Sequence, residues 1–264
     1  MTAIKNLIKK IAPLWMIHIY HKVRCTAGII LSRIRYSLFG IRIEDPKRIP
    51  IIINNFNRLH YLKELVESLT SRGYDNIYII DNNSNYPPLL EYYETCGFEV
   101  FRLKENVGYL ALWQTGIYDR FKKSYYVYTD SDMRICDVCP DDFMHKFLSA
   151  IEKYPLAQKV GFGIMIDDLP DSFKNKQKVL YHESRFWKDE VEEGIYAAEI
   201  DTTFALYRPF CGGKADKYQK TYRTGMPYMI HHLPWYVDSE NMTDEEKYYV
   251  DNIRQSTHWS QQSK

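Results

Sequence analysis

Between residues 49 and 132 the chain alternates short apolar runs with segments of helical spacing, and few folds accommodate that alternation. "IPIIINNF" (49–56) and "NIYIIDNNS" (76–84) are short apolar runs of the kind that form strands buried on both faces, and "FEVFRL" (98–103) and "SYYVYTD" (124–130) read as two further strands. Between them lie "LHYLKELVESLTSRG", "PPLLEYYETCG" and "GYLALWQTGIYDRFKK". The first sets Leu59, Leu62, Leu65, Val66 and Leu69 on one helical face and stops at Gly73; the second opens on prolines; the third reads as one helix. The alternation predicts an α/β domain with a mainly parallel sheet flanked by helices.

In such sheets ligands bind beyond the carboxyl ends of the strands. Each run here ends in polar residues: Asn54, Asn55 and Asn57, then Asp81 to Ser84, then Asn106, then Asp130, Ser131 and Asp132. A turn needs only one Asp for its local hydrogen bonds. Two at i and i+2 leave an extended strand on the same side. Their hard oxygens suit Mg²⁺ or Mn²⁺ shared with substrate phosphates.

These residues resemble those of a known family. The segment from about 49 to 135 is similar to the nucleotide-sugar-binding half of GT-A fold, Rossmann-like glycosyltransferases of family 2. Phe56-Asn57-Arg58 resembles the turn after that family's first strand. "IIDNNS" resembles its base-binding motif, "ENVGYLALWQTGI" its Asn-x-Gly helix start, and "TDSD" its metal motif. The resemblance implies a hexosyltransferase that takes a nucleoside diphosphate sugar of the UDP type, uses Mn²⁺ or Mg²⁺, and transfers to an acceptor hydroxyl with inversion. It implies donor contacts from Asn55, Asn57, Arg58, Asp81, Asn83, Asn106, Gly108, Asp130 and Ser131. Metal ligands would be Asp130 and Asp132, with a third from His232 or its neighbour His231.

The chain departs from the family where a Glu-Asp pair supplies the base. Asp201, in "EIDTTFALYR", reads as a mid-strand carboxylate among apolar residues, a costly position without compensation. It is the first choice for base or acceptor contact, against the alternative of a carboxylate buried on an Arg. Asp238 and Glu240, in "WYVDSEN", are the other choices. Arg223 is read as neutralising diphosphate or as pairing on the surface, and Trp235 and Tyr236 as stacking on an acceptor or filling core. "STHWS" (256–260) is read as a segment closing over the donor.

Beyond residue 140 we expect a helix at "PDDFMHKFLSAIEKYP", a strand at "KVGFGIMI", a loop at 167–194, a long strand at 196–209 and no clear periodicity after it. One domain, 48–264, is expected, with a donor half (48–135) and an acceptor half (136–264), preceded by a basic helical arm, 1–47.

Of the 35 Lys and Arg, eight lie in residues 1–43, which hold no Asp or Glu; the remainder of the chain sets 27 against 34 acidic residues. Such an acidic body argues against a nucleic-acid binder. The stretch 11–21 is too short to cross a bilayer and contains Pro13. Three readings of the arm stay open: an amphipathic segment on anionic lipid, a helix packed on its own domain or a partner, and an organellar presequence. The first suits a peripheral protein on the cytoplasmic face of a membrane, with a lipid-linked or surface-polysaccharide glycan as acceptor. The five cysteines show no disulfide framework, as in a reducing compartment. Two rival functions share features of this pattern. A sugar nucleotidylyltransferase would carry a glycine-rich first loop, which 54–58 lacks, and a non-catalytic transferase-like adaptor would have no need of Asp81, Asp130 and Asp132.

Overall fold

The computed structural model describes residues 13–213, 218–238 and 241–252. Strands β1 (Ile51–Asn55), β2 (Ile77–Asp81), β3 (Glu99–Arg102) and β4 (Tyr126–Asp130) pair in parallel in the order β3-β2-β1-β4. Their alternating side chains feed two cores. Ile51, Ile53, Ile79 and Val127 join a large cluster on one face, while Ile52, Ile80, Tyr126 and Tyr128 join a smaller one on the other. Helix α1 spans Leu14–Phe39, and α2, His60–Thr70, buries Leu62, Leu65 and Leu69 against the larger core. Each such leucine contributes roughly 1.5–3 kcal/mol by leaving water. Helix α3 is Pro87–Thr95.

The expected third helix is instead two short ones, α4 (Ala111–Gln114) and α5 (Tyr118–Phe121). Gly116 separates them with φ +78°, a backbone conformation no helix can contain. Next come β5 (Met133–Ile135), α6 (Phe143–Lys153) and β6 (Ala157–Ile164). The segment expected to be a loop at 167–194 contains α7 (Lys176–Glu183), a 3₁₀ turn and β7 (Glu190–Glu192).

The expected strand at 196–209 is also divided, into β8 (Ile195–Ala197) and β9 (Ala205–Tyr207). The sheet order gives the reason. β10 (Lys220–His232) and β6 lie between β8 and β9, so the chain must cross over two strands to pass from one to the other. β10 itself escaped the sequence reading because a bulge between Thr224 and Met229 breaks its register on β6. The full order is β3-β2-β1-β4-β9-β6-β10-β8-β7, with β5 antiparallel on β10. β1 to β4, β6 and β10 all point the same way, which makes the sheet mainly parallel in direction. Helix α8, Asp244–Asn252, closes the described chain. No helix among the described residues is long and apolar enough to cross a membrane.

Candidate active site

Parallel register collects the polar strand ends on one rim. Asn54 pairs with Asp130, and Asn55 with Asp81. The antiparallel β5–β10 pairing then brings His231 and His232 opposite Arg134 and Met133. Successive strand side chains alternate faces, so only one of the two histidines can meet the carboxylates. His232 does so: its Nε2 lies 3.6 Å from Asp132 Oδ2, and the next amide, Leu233 N, donates to Asp132 O at 2.9 Å. His231 turns away, 2.9 Å from Asp168 and 3.6 Å from Cys136 Sγ. Burial pushes the Cys136 thiol up to about 12, so this Cys-His-Asp group holds no thiolate nucleophile.

Asp130 is anchored twice to one residue. Thr202 Oγ1 donates to its carboxylate, and Asp130 N donates to Thr202 O at 3.0 Å. Burial holds the Asp130 carboxyl well above the ordinary carboxylate range, and the charge of Asp132 adds to this, while hydrogen bonds from Thr202 and Asn54 oppose it. Burial lowers the pKa of His232, which keeps the imidazole neutral near pH 7, the form that binds metal. Its Nδ1 is buried without a hydrogen-bond partner.

Among the described residues no three His, Cys, Asp or Glu side chains form a closed metal cage. An open carboxylate–imidazole pair is nevertheless a fit for Mn²⁺ or Mg²⁺. Such ions take one or two carboxylates and complete their shell with water and substrate phosphate. A cation there would also relieve the repulsion that raises Asp130.

Several residues expected at the rim lie inside it. Asn57 is fully buried in the left-handed region (φ 51°), where its Oδ1 accepts from Asn85 N (2.8 Å) and Tyr86 N (3.1 Å). Asn55 Nδ2 donates to Tyr93 OH (2.8 Å), and Ser131 Oγ donates to Asn55 Oδ1 (2.6 Å). Asp81 is buried, accepting from Ser84 N at 3.1 Å, with Arg102 Nε 3.6 Å from its other oxygen. Asn83 and Asn106 are exposed, and Gly108 follows a turn in which Asn106 Oδ1 accepts from Gly108 N at 2.9 Å. Arg58 sits under α8, its guanidinium 3.7 Å from the Tyr249 ring centroid.

Two readings require correction. Asp201 is not a strand residue buried among apolar neighbours: it is exposed on the crossover between β8 and β9. Arg223 is neither on the surface nor at the rim, since its guanidinium is buried in an ion pair with Glu183 at 2.7 Å. Trp235 is core, its ring tilted on His232 at 4.6 Å, whereas Tyr236 donates to Asp168 at 2.5 Å. Asp238 is half-buried and accepts from Asn241 Nδ2 at 2.8 Å. Glu240 and residues 256–260 lie outside the described residues, as do residues 1–12 of the arm.

With this geometry in place, comparison with known proteins decides the family. The family model described as Glycosyl transferase family 2 matches residues 51–214. The chain belongs to that family. The transferase has the GT-A arrangement of a mostly parallel sheet between helices. Solved structures similar to it include a mannosyltransferase, PcManGT from Pyrobaculum calidifontis, in complex with GDP-Man and Mn²⁺, at 13% identity over 89% of this chain and 71% of that one, TM-score 0.47. GalNAc-T7 with UDP, GalNAc and Mn²⁺ is similar at 14% identity over 70% and 43%, TM-score 0.46. S. aureus TarS residues 1–349 is similar at 12% identity over 76% and 62%, TM-score 0.42. The search of curated proteins finds no match.

Four parts of the transferase's site went unassigned in its sequence. Asn82 joins two loops: its Nδ2 donates to Gly108 O (2.9 Å) and its Oδ1 accepts from Val107 N (2.8 Å). Thr202 holds Asp130. Helix α8 straps the loops after β1 and β2, with Glu245 accepting from His60 N (2.9 Å) and Tyr248 OH donating to Asn85 O (3.1 Å). Its signal was present in the sequence, as the Thr243-x-x-Glu246 spacing of a capping box, in which Glu246 N donates to Thr243 Oγ1 at 3.3 Å. The fourth is Lys159, buried on β6, whose Nζ donates to Asp201 O (2.8 Å) and Tyr207 OH (3.0 Å).

Burial pushes Lys159 down to about 7, with Asp201's charge working the other way. An unfolded lysine titrates near 10.4, so between those values the unfolded chain binds more protons than the folded one, and stability rises with pH across the window. Lys159→Met should lose that rise between about pH 7 and about pH 8.5, read as the change in melting temperature. A variant that gains as much as the parent protein over this interval would mean that the lysine is charged throughout.

Proposed function

We propose that the protein transfers a sugar, with inversion, from a nucleoside diphosphate sugar of the UDP type to a hydroxyl of a lipid-linked or surface-polysaccharide glycan. The observation that carries this reading is the meeting of Asp132 and His232 at 3.6 Å, on the rim where Asp81 and Asp130 also end their strands. Asp132 and His232 would hold Mn²⁺ or Mg²⁺, with Asp130 beside them. Bound there, the ion supplies Lewis-acid stabilisation of the charge on the departing diphosphate.

The protein's own groups do the rest. Thr202 and Asn54 fix the Asp130 carboxylate. The exposed Asn83 and Asn106, with Gly108, orient the nucleotide, Arg58 and the buried Asp81 and Ser131 stand behind them as further donor contacts, and Asn55 and Asn57 act from beneath by shaping its loops. Asp201 is the general base: Lys159 pins its backbone carbonyl while the side chain stays exposed toward an incoming acceptor. Asp238 is the second choice. The basic arm, 1–43, gives peripheral contact with the inner face of a membrane.

Melting the protein with a panel of nucleotide sugars, with and without Mn²⁺, tests the reading. A donor at about a hundred times its Kd adds about 2.7 kcal/mol, a rise of roughly 5–10 °C for a chain of this size. A response only with Mn²⁺ supports the assignment. No response to any nucleotide sugar overturns it.

A further inference from the structure

The arm helix lies at the end of the sheet opposite the carboxylate rim. Ile17, His21, Cys25, Ile29, Ser32 and Tyr36 recur every three or four residues and are buried or half-buried. Contacts along this stripe go to the amino-terminal edge of the sheet. His21 stacks at 5.1 Å on Tyr218, just before β10 begins. Ser32 Oγ donates at 2.5 Å to Pro209 O, just past the end of β9, which runs antiparallel and finishes at this edge. The Tyr36 ring meets that of Tyr125 at 5.6 Å, one residue before β4, and Ile41 N donates to Lys123 O at 2.8 Å.

A second stripe faces the other way. Met16, Tyr20, Val23, Ile30, Ile34 and Leu38 keep to one side of the helix, at steps of three, four or seven residues, and each is at least 47% exposed. Lys22 and Arg33 flank the stripe on one side, and Arg24 and Arg35 on the other. Each flanking pair is eleven residues apart, which returns to the same side of the helix after about three turns. An apolar strip between two basic rails, with no acid anywhere in residues 1–43, suits a surface that is apolar beneath and negative above. A second copy of the helix would instead set basic rail against basic rail.

We propose that the outer stripe of α1 seats the protein on an anionic lipid bilayer with the donor rim turned away from the lipid. The inference rests on the arm reading given above and adds the docking face and the orientation. A strand of five residues rises about 16 Å, and a helix with its side chains adds about 10 Å, so the rim stands roughly 25 Å from the headgroups.

Two measurements on the full chain separate the parts. The first is flotation with phosphatidylcholine vesicles, with or without phosphatidylglycerol. The protein is expected to float only with the anionic lipid and less so at high salt, and Ile30→Glu/Ile34→Glu is expected to stay behind with an unchanged melting temperature. Flotation of that variant like the parent, or a parent dimer that the variant abolishes, overturns the docking face alone, and a parent that fails to float on anionic lipid overturns the arm reading with it. The second is energy transfer to a headgroup acceptor dye from a label on Ala27→Cys or on Lys104→Cys, in a Cys25→Ser/Cys96→Ser background. Strong transfer from position 27 and weak transfer from 104 is expected. Equal transfer from both, in a protein that floats, overturns the orientation alone.

Discussion

Asp132→Asn should cut sugar transfer by roughly a thousandfold, about 4 kcal/mol of lost transition-state stabilisation. The amide keeps the shape of the side chain but removes the anionic oxygen that faces His232 at 3.6 Å. The loss should fall on kcat/KM and should be recovered only in part by more Mn²⁺, because the carboxylate removed is the group proposed to hold the ion against the departing diphosphate. His232→Gln should cost less, roughly ten- to a hundredfold, the scale of a neutral ligand or its support. Rates measured across a Mn²⁺ titration decide the matter. An Asp132→Asn enzyme that works within tenfold of the parent would place the metal, and the leaving diphosphate, somewhere else.

The largest effect on stability is expected where no chemistry occurs. Arg223 and Glu183 form an ion pair at 2.7 Å with both side chains about 95% buried, and Arg223 Nε also donates to Glu199 O at 2.8 Å. Arg223→Met leaves the Glu183 carboxylate buried without its cation, at a cost of about 3–5 kcal/mol. For a chain of this size that is a fall of roughly 6–20 °C in melting temperature. Arg223→Met combined with Glu183→Leu should recover most of it, since a pair replaced by apolar groups leaves no stranded charge. Calorimetry on the three variants gives the answer. A single variant within about 1 kcal/mol of the parent would mean that water reaches the pair.

What could be read in advance, and what could not, follows from how far apart the interacting residues lie. Strands β1, β2 and β4 announced themselves because each is covered on both faces and so needs an unbroken apolar run. The rim was legible for the same reason, since polar residues at the end of such a run have nowhere to go but the strand's carboxyl edge. Asp201 and Arg223 were misread because alternation around a charged residue looks alike whether the residue is buried or carried on a crossover. The insertion of β9 between β4 and β6 decides it for Asp201, and the pairing of β10 with β6 and β8 decides it for Arg223. Lys159 and Thr202 become meaningful by the same insertion, and no local pattern marks them. The preference for His232 over His231 comes from strand alternation on β10, a strand whose bulge leaves no regular pattern in the sequence.

The arm helix and the carboxylate rim occupy opposite ends of the same strands, and under the proposed seating this separation would set the traffic through the enzyme. A protein resting on lipid by α1 leaves its donor entrance open to bulk water, so a soluble nucleotide sugar arrives and its nucleotide departs without competing with the bilayer for space. An acceptor anchored in that bilayer meets the reverse situation. On the proposed seating it would have to climb the flank of the domain, roughly 25 Å, before its hydroxyl reached Asp201, the proposed base. Seated in this way, the fold would act as a ruler that favours acceptors long enough to cover that distance.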